Sequence, residues 1–203
     1  MHLQSELRGL QIFDIFNKEK AAERRKALQD EMRRGYFDDF TDLKETGGRM
    51  FPAAEGLAPA ATAPTFPAFT ALRPDGSEEA MPPVTDAAAA VLVSVAFRAG
   101  AEDMLSSWSG PFSSAFGSRP NARWLELSFV ESTVMCLWPF REPLFHFGDA
   151  TTQRQALDMT NRLTGYAYLL DSRGCVRWRA SGKARGAEAG VLLQAAEQLL
   201  NQA

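Results

Sequence analysis

The amino-acid pattern predicts an α/β fold in which a largely buried sheet is covered by helices, and three observations carry that expectation. The run VLVSVAF (91–97) is apolar on both faces, as a strand buried between helices must be. GYAYLLD and CVRWRA flank Asp171-Ser172-Arg173-Gly174, a strong hairpin signal. Ala187, Val191, Leu192, Ala195, Ala196, Leu199 and Leu200 recur at helical spacing near the end of the chain and form one apolar stripe.

The remaining elements follow in chain order. Ser5 to Arg34 is free of proline and pairs opposite charges at helical spacing, Asp14 with Lys18 and Asp30 with Arg34, so it reads as a long solvated helix stopped at Gly35. Ile12, Phe13, Ile15 and Phe16 would let its first turns dock. An acidic and aromatic stretch, YFDDFTDLKETGGRMFP, is closed by Gly47 and Gly48. Seven of the eleven prolines then fall between Pro52 and Pro83. Proline fixes φ and removes a donor, so this segment is an extended connector, either anchored on the next domain through Phe51, Phe66 and Phe69 or disordered. The expected organisation is therefore 1–48 helix and acidic/aromatic segment, 49–85 connector, and 86–203 folded domain.

Within that domain Ala101 to Phe116 reads as a helix broken or kinked by Pro111, and Arg123 to Glu131 as a half-buried strand with Leu125, Leu127 and Phe129 on one face. Thr151 to Leu163 reads as a helix with a Thr152/Gln155 capping box, ending before Gly165. The strings LWPF (137–140) and LFHF (144–147) suit either core or a docking patch. The order β-α-β-α-β-β-α is that of a thioredoxin-like domain, preceded here by the long N-terminal helix and the Pro-rich connector.

A thioredoxin-like redox centre needs a thiolate at the N-terminus of the first helix, where the macrodipole and unpaired N–H groups stabilise the anion. That place holds Ala99 to Asp103, and no cysteine occurs between Phe97 and Cys136. Nor is there a proline at Leu163-Thr164-Gly165, ahead of the hairpin, where such domains keep one. Cys175 alternates with Arg177 and Arg179 on a polar strand face, which could favour its thiolate; Cys136 sits in the apolar MCLWPF and reads as a core residue. His2 and His146 are the only histidines, and His146 with Asp149 is too small a set to hold a metal. No catalytic, cofactor-binding or metal-binding residue is expected.

With 203 residues, 45% of them hydrophobic, the chain can bury a substantial core. A net charge of -3 argues against a nucleic-acid partner, and the clusters Arg24 to Lys26 and Arg33-Arg34 are interleaved with acids. Two distant cysteines make no disulfide framework. The longest apolar run, Ala87 to Phe97, falls short of the roughly 20 residues that span a bilayer. The N-terminal residues lack the apolar core of a secretory signal, and Glu6 and Asp14 do not suit a transit peptide.

The blocks FDIFNKEKAAERRKALQDEMRRGYFDDFTDLKETGGRMF, FRAGAEDMLSSWSGPF and GYAYLLDSRGCVRWRASGKA, in this order, resemble the mitochondrial ATP synthase assembly factors, inner-membrane chaperones of the proton-channel subunit 6 (subunit a). The resemblance covers most of the chain from Phe13 to the end and is weakest in the connector. It implies a non-catalytic, matrix-side protein, peripheral to the mitochondrial inner membrane, that holds subunit 6 and aids its assembly with the proteolipid ring. Tyr36, Phe37, Asp38, Asp39 and Phe40 could supply aromatic anchors and charge for that partner, or pack on the domain. The competing readings are a divergent thioredoxin- or peroxiredoxin-like oxidoreductase using Cys175 or Cys136, and a scaffold module joined to a larger complex by its N-terminal helix.

Overall fold

In a computed structural model of the full chain, residues 35, 37–83, 88–130 and 143–202 are described. The chain divides into two compact units, Met1–Thr41 and Asp42–Ala203. In the first, Gly35 and residues 37–41 are helical, so Gly35 is not the stop that its glycine suggested. The expected helix over residues 5–34 lies outside the described residues.

Helix α1 covers residues 37–46, and its end is set by glycine. Gly47 and Gly48 take φ of 63° and 81°, a backbone region open to glycine, and the Gly48 N–H returns to the Leu43 carbonyl at 3.1 Å. The second unit is built on a seven-stranded sheet, β1 (Phe69–Leu72), β2 (Glu78–Met81), β3 (Ala90–Ala96), β4 (Ala122–Val130), β5 (Pro143–Phe147), β6 (Tyr166–Asp171) and β7 (Val176–Ser181), in the order β2-β1-β5-β4-β3-β6-β7. β3, β4 and β5 are mutually parallel; β6 is antiparallel to β3, and β7 to β6. The set β4-β3-β6-β7, with α2 (Glu102–Phe116) crossing between the parallel pair and α4 (Glu188–Leu200) closing the hairpin, is the thioredoxin-like core the sequence predicts.

β3 is buried along its whole length because both faces are covered. Ala90 and Leu92 pack under Trp108, Phe112, Leu192 and Leu199 of α2 and α4. Val91, Val93 and Val95 turn to the opposite layer, with Phe66, Leu127, Phe129, Tyr166 and Tyr168. Each fully buried side chain of this size contributes about 1.5–3 kcal/mol, so the two layers supply the main driving force.

Four expectations need correction. The helix runs unbroken through Pro111. The ring removes one backbone donor, but Phe112 and Phe116 are buried on the face that also carries Trp108, and this packing holds the last turns. The helix expected over Thr151 to Leu163 is only α3 (Thr151–Ala156). Asp158 takes φ 55°, and Tyr166 Oη draws the chain away by accepting the Asn161 N–H at 3.0 Å and donating to the Asn161 carbonyl at 2.8 Å. Asp149, not a Thr152/Gln155 box, receives the Thr151 N–H (2.9 Å) and hydroxyl (2.5 Å) at its start. Finally, the Pro-rich segment contains the β1-β2 hairpin, turned at Pro74-Asp75-Gly76, where Asp75 Oδ1 accepts the Ser77 N–H at 2.9 Å. The string LFHF is β5: Leu144 is buried and Phe147 is 56% exposed, so strand alternation gives one residue to the core and the other to the surface. LWPF lies outside the described residues.

Candidate functional site

The place where a thioredoxin-like domain carries its thiol lies at the end of β3, on the turn Ala99–Ala101 and the first turn of α2. Ala101 is fully buried against Ala96 and Leu105, while Glu102 and Asp103 are exposed and face the positive end of the helix. No side chain there carries a thiol. Instead the position is closed by packing. Met104 Sδ receives the Gly165 N–H at 3.5 Å, and a Cβ on Gly165 would lie 2.8 Å from Leu105 Cδ2. The loop ahead of β6 therefore touches α2 at a distance only glycine permits.

Residues 47–51 form a strap across this closed position. The buried Thr164 hydroxyl donates to the Gly48 carbonyl at 3.2 Å. Ser181 Oγ accepts the Met50 and Phe51 N–H groups at 2.9 and 2.8 Å and donates to the Phe51 carbonyl at 2.7 Å. Arg49 makes a bidentate pair with Glu188 at 2.6 and 2.7 Å, at the start of α4. That pair holds the Glu188 carboxyl below the usual glutamate range and raises the Arg49 guanidinium, the shared hydrogen bonds being the main cause of both. Glycine allows the close approach: a Cβ on Gly182 would sit 2.5 Å from the Gly48 carbonyl oxygen, and one on Gly48 2.9 Å from Met104 Cε.

Beyond the strap the chain follows the outer edge of β7. The Ala54 and Ala58 N–H groups donate to the Arg179 and Arg177 carbonyls at 2.9 and 2.7 Å, and the Val176 N–H to Pro64 at 2.8 Å. Trp178 Nε1 donates to the Ala54 carbonyl at 2.8 Å. An edge strand left open would pair with other chains; here the chain's own residues 54–64 occupy it. Buried Arg177 joins the two parts, donating to the Ala58 carbonyl at 2.7 Å and to Asp171 at 3.1 Å. Arg179 pairs with Asp158 at 2.5 Å and lies 4.6 Å from the Phe51 ring centroid.

These partners bear on the cysteine reading. Cys175 is half-buried, and its N–H donates to Asp171 at 3.0 Å. The guanidinium groups that alternate with it are directed to Asp171 and Asp158. Cys136 lies outside the described residues. His146 Nδ1 is 3.2 Å from the Thr70 carbonyl oxygen, its ring packed edge-on against Phe69 and Phe129, and Asp149 is occupied by Thr151. Among the described residues no cluster of three or more His, Cys, Asp or Glu could hold a metal. Of the partner-binding candidates, Tyr36 lies outside the described residues. Phe37 and Phe40 are 61% and 41% exposed, Asp38 is exposed and Asp39 is buried.

Arg49 of the strap and the residues that hold it, Thr164, Ser181 and Glu188, were not singled out as a site in the sequence. The available signals were Gly47-Gly48 directly before Arg49 and a second glycine, Gly182, directly after Ser181.

The family described as ATP10 protein matches residues 4–138 and 148–199. No curated protein matches the chain. Among solved structures the chain is similar to a putative thiol:disulfide interchange protein DsbE from Chlorobium tepidum (15% identity over 68% of this chain and 96% of that one, TM-score 0.49). It is similar also to the C-terminal domain of a putative thiol-disulfide oxidoreductase from Bacteroides thetaiotaomicron (16% identity, 70% and 97%, TM-score 0.49). A third is the bacterioferritin comigratory protein of Xanthomonas campestris (14% identity, 74% and 99%, TM-score 0.47).

Proposed function

Because this chain belongs to the ATP10 protein family, mitochondrial assembly factors of the ATP synthase, we propose that it is a non-catalytic chaperone that holds subunit 6 (subunit a) while that subunit joins the proteolipid ring. The family match, over nearly the whole chain, carries this reading. The site agrees with it: the position that would bear a reactive thiol is filled by Ala101, Met104 and the Gly165 backbone, and a binding protein needs shape there rather than a nucleophile. We place the chaperone on the matrix side of the inner membrane, attached peripherally. Among the described residues no helix is long and apolar enough to cross a membrane.

A membrane subunit outside its complex presents apolar helix faces and polar groups that lipid cannot satisfy. Tyr36, Phe37, Asp38, Asp39 and Phe40 are the proposed contact residues, two exposed phenylalanines supplying apolar area beside carboxylates. Co-purification of subunit 6 from mitochondria in mild detergent tests this. Phe37→Ala with Phe40→Ala should weaken binding by about 30-fold or more and reduce recovery accordingly, since exposed aromatic anchors are worth about 1–2 kcal/mol each at interfaces. Undiminished recovery would remove these residues from the interface.

A further inference from the structure

The strap is bound in the manner of a ligand. A segment that merely continues a sheet is held by ladder hydrogen bonds, but residues 47–51 are held largely by side chains of other elements: Thr164 ahead of β6, Ser181 at the end of β7 and Glu188 at the start of α4. Each contact reads a different feature of the strap. Gly48 holds a left-handed φ of 81°, which favours glycine there, and a Cβ on it would lie 2.9 Å from Met104 Cε. Glu188 takes a planar guanidinium in two parallel hydrogen bonds, at 2.6 and 2.7 Å, a geometry that lysine does not match. Ser181 reads the backbone of the next two residues, and the Phe51 ring lies between Tyr166, 5.9 Å away, and the Arg179 guanidinium.

We propose that this is a peptide-binding site filled in cis: the groove of Met104, Thr164, Ser181, Gly182 and Glu188 recognises an extended segment of two small residues followed by arginine and apolar residues, and such a segment from a partner can replace the strap. The site is distinct from the aromatic segment at 36–40 and stands whether or not that segment binds subunit 6. Because the strap is part of the chain, its effective concentration is about millimolar, so the site is masked in the resting protein and a partner must compete for it.

The test uses the full chain and a fluorescent peptide of residues 45–54, ETGGRMFPAA. In the full-length Arg49→Ala variant the cis strap loses its charge pair while the groove stays intact. Hydrogen exchange at the Met50 and Phe51 amides should then accelerate, and the peptide should bind. Wild-type chain should bind it about 10- to 100-fold more weakly, the factor expected for a charge-assisted bidentate contact retained in cis. A peptide with alanine in place of its arginine, and the Arg49→Ala, Glu188→Ala double variant, should each lose binding by a similar factor. Gly48→Val, which places a β-branched side chain at a left-handed φ of 81° and against Met104 and Leu43, provides a second way to open the strap. The proposal is overturned if the amides stay protected in both variants, if they open and no peptide binds, or if either variant loses the near-ultraviolet signal of buried Trp108 and Trp178, which would make the strap part of the core.

Discussion

Gly182 and Gly186 both hold φ in the left-handed region, at 68° and 51°, yet only Gly182 is crowded. A Cβ there meets the Gly48 carbonyl oxygen at 2.5 Å and its carbon at 2.9 Å, whereas nothing lies within 4 Å of one on Gly186. Gly186→Ala should therefore cost about 1–2 kcal/mol for its conformation alone. Gly182→Ala should cost at least about 1–3 kcal/mol more, since backbone must move; equal losses in urea unfolding would contradict the close strap contact. Asp171 makes a second residue-scale case. Its carboxylate accepts from buried Arg177 and caps the Arg173 and Cys175 N–H groups at 3.0 Å each. Asp171→Ala strands a buried guanidinium and should destabilise by about 3–5 kcal/mol. Glu188 gives a pH dependence with a definite sign. Its folded-state pKa lies below the unfolded value, so its contribution is present above the ordinary glutamate range and is lost as pH falls through the folded value. The protection factors of the Met50 and Phe51 amides, taken relative to intrinsic exchange at each pH, should fall on acidification over that window in wild type, and Glu188→Gln should abolish that dependence.

Among the elements, α2 shows packing overriding local preference. Pro111 sits inside a 15-residue helix whose later half buries Phe112 and Phe116. Pro111→Ala restores a backbone donor and should raise stability by about 1–3 kcal/mol in denaturant titrations; a loss would mean that the ring itself is needed there. The central elements were legible because each announces itself locally: β3 by its apolar run, β6 and β7 by alternation around an Asp-Ser-Arg-Gly turn, and α4 by its stripe. The elements that escaped are short or depend on distant partners. β1 has four residues, and its register to β5 rests on Leu72 opposite Phe145. The hairpin turn at Asp75-Gly76 was visible in the sequence but lay among prolines that pointed to an extended chain. Glycines mark the strap in the sequence, but its partners could not be read, because Arg49 and Glu188 are joined only in the fold.

For the molecule as a whole, the vacated thiol position was the most legible functional feature, since an absent cysteine needs no tertiary information. What occupies that position was not legible: residues 47–66 cover the α2 end of the domain and the β7 edge through their own backbone groups and through the Arg49–Glu188 pair, whose partners meet only in the fold. Removing residues 47–66 should therefore abolish cooperative unfolding of the domain. The proposed chaperone role requires that this fold act by binding and without sulfur chemistry. Its most direct test is assembly of subunit 6 into the ATP synthase in cells whose only copy of the protein carries Cys136→Ser and Cys175→Ser. Wild-type levels of assembled enzyme are expected; loss of assembly in a correctly folded double variant would rule out a role without sulfur chemistry.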